Sequence, residues 1–202
     1  MKKLEFDKEY LDILQTMPDS MEEYQSWLGL KERKIYFNQE VDSGIINKIV
    51  YWIQNWNEQD DANNIAPEDR QPIEIHITSN GGDVVAGFAA IDAIRNSKAK
   101  VITKGIGVCA SMGALLLIAG HERIAYPNTV ILIHDGSMTV SYTSKKAKNT
   151  MSFYDRLDER IKTFIVESTK ISTELYEEKE DDEWYMFANA EGIKLGIVDK
   201  IV

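Results

Sequence analysis

Ser111 stands in the stretch CASMGALLLIAG (residues 109–120), where a hydroxyl heads a run of small and apolar residues. By itself such a serine reads as a helix N-cap, because its oxygen can accept a bond from an unpaired N–H group of the first turn. Two other places in the chain give it chemistry to do. Asn80-Gly81-Gly82-Asp83 follows an alternating apolar segment. Paired glycines where a strand turns into a helix expose backbone N–H groups that can hold an oxyanion. His134 ends the apolar segment 130–133, where loops emerge and an imidazole can accept a proton. Each has a plainer reading, a tight turn for the glycines and a structural side chain for the histidine. Together they are the three parts of acyl transfer: a hydroxyl nucleophile, a base for its proton, and donors for the tetrahedral oxyanion.

The elements that must position these groups follow from periodicity. KIYFNQEV (residues 34–41) reads as a first strand. SGIINKIVYWIQNWNEQ reads as an amphipathic helix capped by Ser43, with Ile45, Ile46, Ile49, Val50, Ile53 and Trp56 on one face. DDANNIAPEDRQ is a polar surface loop, and IEIHITS alternates strictly, the pattern of a strand. VVAGFAAIDAIRNS is a helix of small residues, KVITKGIGVCA a strand, SMGALLLIAG a buried helix, and RIAYPNTVILIHD two short strands joined at Pro127-Asn128. A long amphipathic helix spans about 144–168, with Ala147, Met151, Tyr154, Leu157, Ile161, Phe164 and Ile165 as its apolar set. Repeated alternation of strand and helix predicts an α/β fold, and the catalytic candidates all fall at C-terminal ends of strands, where they can converge.

The whole chain narrows the function classes. Its 202 residues, 44% hydrophobic and 28% charged, suit one soluble domain. The longest apolar run, residues 114–119, is far short of the ~20 residues of a membrane span. The N-terminus MKKLEFDKEYLDIL mixes acids with its apolar residues, unlike a secretory signal, so a cytoplasmic location is expected. The lone Cys109 cannot form an intrachain disulfide, and three scattered histidines make no zinc motif, so no metal site is expected. A net charge of −10 with no large basic cluster argues against nucleic acid as a partner. Cys109 lies two residues before Ser111 on what reads as a strand, so it should face the same side but within the apolar layer, and it reads as a buried unreactive thiol. His76 reads as a packing residue and His121 as a solvent-facing one.

TSNGGDVVAGFAAIDAI, GIGVCASMGALLLIAG, RIAYPNTVILIHDG and AEGIKLGIVDKIV resemble, in order and approximate spacing, the proteolytic-subunit family of the Clp ATP-dependent protease. The likeness runs from KERKIYFNQEV at residue 31 to residue 202, leaving residues 1–30 as a partly helical N-terminal extension before a peptidase domain of residues 31–202. It implies a crotonase-like α/β fold of stacked strand-strand-helix units with a protruding handle helix. It implies Ser111 as nucleophile, His134 as general base, and the N–H groups of Gly82 and Met112 as the oxyanion hole. It further implies subunits joined into stacked heptameric rings, a tetradecamer, that receive unfolded polypeptide from an AAA+ Clp ATPase. ATP is then used by the partner, and this chain needs no cofactor of its own.

Three positions depart from the family pattern. Asn80 replaces the usual proline before the two glycines, and Asp135-Gly136 replaces Gln-Pro after the histidine. Counting back without gaps from Gly196-Ile197-Val198-Asp199 puts Trp184 where the family has its third triad member, an aspartate. A one-residue insertion in FANAEG instead aligns Glu183, with Asp182 beside it. Either carboxylate could orient His134, and the run EKEDDEW also reads as a solvated acidic turn. A non-catalytic ring subunit and a crotonase-type acyl-CoA enzyme are the alternatives to a serine endopeptidase.

Overall fold

The computed structural model describes residues 20–136 and 143–202. Strand β1 (Lys34–Asn38) buries Ile35 and Phe37, and β2 (Ile73–Ser79) buries Ile73, Ile75 and Ile77. The two pair in parallel with residue 35 opposite 75 and 37 opposite 77, so their apolar side chains share one face. Helix α1 (Met21–Lys31) precedes β1, and its Gly29 lies so close to Tyr36 that a Cβ there would meet the ring at 2.9 Å. The extension expected over residues 1–30 falls on residues 1–19 outside the described residues, and on α1.

Helix α2 (Ser43–Ala62) turns Ile45, Ile46, Ile49, Ile53 and Trp56 into the same core as the sheet. Its cap is Asp42 rather than the expected Ser43: the Asp42 carboxylate accepts from the Ile45 N–H at 2.9 Å, and an aspartate serves this role as well as a serine. Asp83 does the same for α3 (Val84–Arg95), accepting from Ala86 N–H at 2.9 Å.

The next strand, β3 (Val101–Ala110), divides the sheet. Its first half pairs with β4 (Glu122–Ala125) and its last three residues pair with β5 (Val130–Ile133), all in parallel. Gly107, at φ 68°, lies between the two halves, a backbone conformation that favours glycine. Helix α4 (Met112–Ala119) follows β3 directly and is buried along its entire length. Helix α5 (Ser144–Ser168) has the predicted bounds, but of its 25 residues only Ile165 is buried. At 1.5 Å per residue it is about 37 Å long, and its N-terminal half leaves Met151 and Phe153 exposed.

Among the short elements absent from the sequence reading are α6 (Thr173–Lys179), β6 (Trp184–Phe187) and β7 (Lys200–Ile201). The acidic turn read over residues 178–184 is present at its centre: α6 ends at Lys179, residues 180–182 turn with the Asp182 N–H donating to the Lys179 carbonyl at 2.9 Å, and β6 begins at Trp184. The sheet runs β1-β2-β3-β4-β7, with β5 and β6 branching from β3, and β5–β6 is the antiparallel pair among the described strands. Among the described residues no helix is long and apolar enough to cross a membrane.

Candidate active site

Ser111 is the residue between β3 and α4, and its backbone is in a region that side chains rarely occupy, φ 52° and ψ −125°. Its N–H donates to the Leu132 carbonyl at 2.9 Å, and its own carbonyl accepts from Ala114 and Leu115 N–H at 2.9 and 3.2 Å. The backbone is therefore fixed from both sides while the hydroxyl makes no capping bond. Ser111 thus stands at the N-cap position without acting as a side-chain cap: with φ positive, its hydroxyl leaves the helix N-terminus unbonded. A positive φ at a residue bearing a Cβ costs of order 1–2 kcal/mol, a strain that persists only where the surroundings enforce it.

His134 follows β5, and the register of the β5–β6 pair decides what faces it. Residue 130 lies opposite 187 and residue 133 opposite 184, so one step further His134 meets Glu183. The imidazole Nδ1 and Glu183 Oε1 are 3.1 Å apart. Since a carboxylate can only accept, Nδ1 carries the proton and Nε2 is left as the basic nitrogen. Trp184 pairs with Ile133 within the ladder, and Asp182 accepts instead from Lys179 Nζ at 3.2 Å. The His134 side chain is 21% exposed and that of Glu183 61%, so water reaches this pair in the single chain. Ser111 Oγ and His134 Nε2 make no hydrogen bond to each other.

Gly81 and Gly82 have φ values of 101° and 144°. A Cβ on Gly81 would come within 2.6 Å of Ser111 Cβ and 2.9 Å of the Ala110 carbonyl, so only glycine allows the turn to lie on the serine. Gly82 is held by Val41: the Val41 N–H donates to Gly81 O at 2.7 Å and the Asp83 N–H to Val41 O at 2.8 Å. This bridge leaves the Gly82 N–H unpaired among the described residues. The Met112 N–H is also unpaired, as expected in the first turn of a helix. Two free donors therefore flank Ser111.

Ser79, unnoticed in the sequence, locks the turn by accepting from Gly81 N–H at 3.1 Å and donating to the Gln39 carbonyl at 2.6 Å. Val41 is the other residue missed: the sequence reads it as the last residue of the first strand, but the strand ends at Asn38 and Val41 makes a separate bridge to Gly82.

The remaining candidates lie apart. Cys109 is fully buried, its thiol 3.5 Å from the Ile77 carbonyl, and burial pushes its pKa up to about 12. It stays a neutral thiol, as the sequence suggested. His76 bonds Glu74 at 3.0 Å beneath the Tyr36 ring, and burial lowers its pKa against the opposing pull of Glu74. The exposed His121 accepts from the Val101 N–H at 3.0 Å, a structural bond joining the segment after α4 to the start of β3. Among the described residues no group of three or more His, Cys, Asp or Glu could hold a metal ion.

The sequence matches the Clp protease family over residues 19–202, a span that takes in every residue of this site. The ATP-dependent Clp protease proteolytic subunit 3 of Synechococcus sp. is 31% identical over 176 residues, 85% of this chain and 82% of the relative. The ATP-dependent Clp protease proteolytic subunit 2 of Prochlorococcus marinus subsp. pastoris is 31% identical over 190 residues, 89% of each chain. These matches set the acyl-CoA alternative aside. With its α/β fold and mainly parallel sheet, this chain belongs to the Clp protease family, a family of peptidases.

Proposed function

We propose that the chain is a serine endopeptidase in which Ser111 is the nucleophile, His134 the general base and Glu183 its orienting carboxylate. The observation that carries this reading is the Nδ1–Oε1 contact of 3.1 Å, because it selects the tautomer of the neutral ring in which Nε2 is the basic nitrogen, at the end of the strand next to Ser111. His134 Nε2 takes the Ser111 proton as Oγ attacks the scissile carbonyl carbon, and the carbonyl oxygen becomes the oxyanion. The N–H groups of Gly82 and Met112 receive that charge. The imidazolium, stabilised by Glu183, then protonates the leaving amine. Water, activated by the same nitrogen, releases the acyl group from Ser111. No cofactor enters this scheme.

Closing the Ser111–His134 contact is left to substrate binding and to neighbouring subunits, since catalytic hydrogen bonds often tighten only in the complex. The relatives' names, subunits of an ATP-dependent protease, and the half-uncovered α5 support a subunit of a larger assembly with an ATPase partner; we extend this to cytoplasmic rings stacked as a tetradecamer and fed with unfolded polypeptide by an AAA+ ATPase. ATP is consumed by that partner.

Hydrolysis of a short internally quenched peptide tests the assignment. Ser111→Ala should abolish cleavage with the fold and assembly retained, because only a hydroxyl without a hydrogen bond is removed. Near-wild-type cleavage by Ser111→Ala would place the nucleophile elsewhere, whereas a wild-type protein that cleaves no peptide would favour a non-catalytic subunit.

A further inference from the structure

A cleft of about 330 Å³ opens beside His134, between the strand end that carries the histidine, helix α5 and helix α6. Six carboxylates line it: Asp135, Asp155, Asp158, Glu159, Glu180 and Asp181. None of them has an ion-pair partner among the described residues. The one cation in the lining, Lys162, is bonded to Glu177 Oε1 at 2.5 Å, a residue outside the cleft lining. Burial and the neighbouring Asp135, Asp155 and Glu159 push the Asp158 carboxyl above its ordinary range, the mark of like charges gathered around it, although Lys162 also feels Glu159 and Glu180.

Tyr176 supplies a second and independent sign. It is only 6% exposed and lines the cleft, yet its hydroxyl makes no hydrogen bond. Among the described residues no fully buried side-chain N or O atom lacks a partner. The phenol oxygen therefore keeps some contact with solvent, and the charges that act on it, Glu180, Asp158, Asp135 and Glu159, are those of the cleft, where it offers lone pairs to a donor that the described residues do not provide. Burial and the surrounding acids push its pKa up to about 12, so it remains a neutral phenol. A metal ion is not the ligand these groups suit, because no three acidic or histidine side chains approach closely enough to coordinate one among the described residues.

We infer that this cleft is a specificity subsite for a basic side chain, arginine or lysine, of the polypeptide cut at Ser111. The inference rests on the peptidase reading above. The acidic lining supplies long-range attraction and ion pairs, the Tyr176 oxygen accepts an N–H, and the shared His134 wall sets the basic residue next to the scissile bond.

Two internally quenched peptides that differ only in arginine against its neutral isostere citrulline, placed in turn at each position around the cleaved bond, test it on the assembled protein. The arginine peptide should be cleaved with kcat/KM higher by about tenfold at one of these positions, equivalent to about 1.4 kcal/mol, and the advantage should shrink as salt is added. The double variant Asp155→Asn, Asp158→Asn should bring the ratio to near unity while leaving the citrulline peptide unaffected. Asp181→Asn, on another wall, should move the ratio in the same direction. Equal cleavage of both peptides by the wild type, or a preference that survives all these substitutions, overturns the subsite.

Failure of the peptidase reading is recognised separately, as no cleavage of either peptide and no labelling of Ser111 by a fluorophosphonate. Fluorescence anisotropy on Ser111→Ala then still decides: tighter binding of the arginine peptide, lost in the Asp155/Asp158 double variant, supports the cleft, and equal binding overturns it.

Discussion

At the scale of residues, the contrast between Glu183 and Asp182 is the sharpest consequence of the geometry. The two carboxylates are adjacent in sequence, but one bonds His134 and the other Lys179. Glu183→Gln should keep the fold and lose the charge that stabilises the imidazolium, with a loss of order ~10⁴ in kcat, the magnitude known for the equivalent change in a Ser-His-Asp triad. Asp182→Asn should cost little, and steady-state kinetics of the two variants distinguish them. A reversed outcome would shift the β5–β6 register by one residue. His134→Ala should be nearly as severe as Ser111→Ala, and the double variant no worse than either, because triad members act as a unit. Cys109, with its pKa pushed up to about 12, should resist iodoacetamide at neutral pH until the chain unfolds, which mass spectrometry of the native and denatured protein can read. Ser111 and His134 were legible in the sequence because a hydroxyl between small residues and a histidine at a strand end are local patterns. Glu183 was legible only through an assumed insertion, since what selects it is a cross-strand register, and register is a property of two segments.

At the scale of elements, the candidate site depends on Val41 and the β2–α3 turn as much as on the side chains proposed for catalysis. Gly82→Ala combines a positive φ with a Cβ 2.3 Å from the Val41 carbonyl, so the Val41 bridge must shift and carry the Gly82 N–H with it. Loss of about 10²–10³ in kcat is expected if that N–H serves the oxyanion. The backbone strain of about 1–2 kcal/mol should lower the thermal midpoint by several degrees. Unchanged kcat with a lowered midpoint would remove Gly82 from the oxyanion hole. The long helices and the strictly alternating strand β2 were readable from periodicity. Strands β6 and β7 were not: β7 has only two residues, and β6, no shorter than the legible β5, lacks that strand's unbroken aliphatic run, so pairing with β5 and β4 is what forms them. The same holds for Ser79, whose role depends on the approach of Gln39 from forty residues away.

At the scale of the whole molecule, the single chain is incomplete in two respects. Met151 is 52% exposed and Phe153 42% on the projecting half of α5, although Ile161 and Phe164 further along pack against the core. The apolar stripe read from the sequence is therefore covered at one end only. Glu183 is 61% exposed, which leaves its bond to His134 in competition with water. Both point to assembly as a condition of activity: specific activity should fall on dilution below the assembly concentration, and Met151→Asp should reduce both particle mass and cleavage, as light scattering coupled to the peptide assay would show. A fully active monomer would contradict that dependence. The central claim, that Ser111 is a nucleophile activated by His134, is tested most directly by reacting the assembled protein with a fluorophosphonate and mapping the adduct by mass spectrometry. The account predicts one adduct, on Ser111, abolished by Ser111→Ala and strongly slowed by His134→Ala; a folded, assembled protein that forms no adduct, or carries it on another residue, would contradict it.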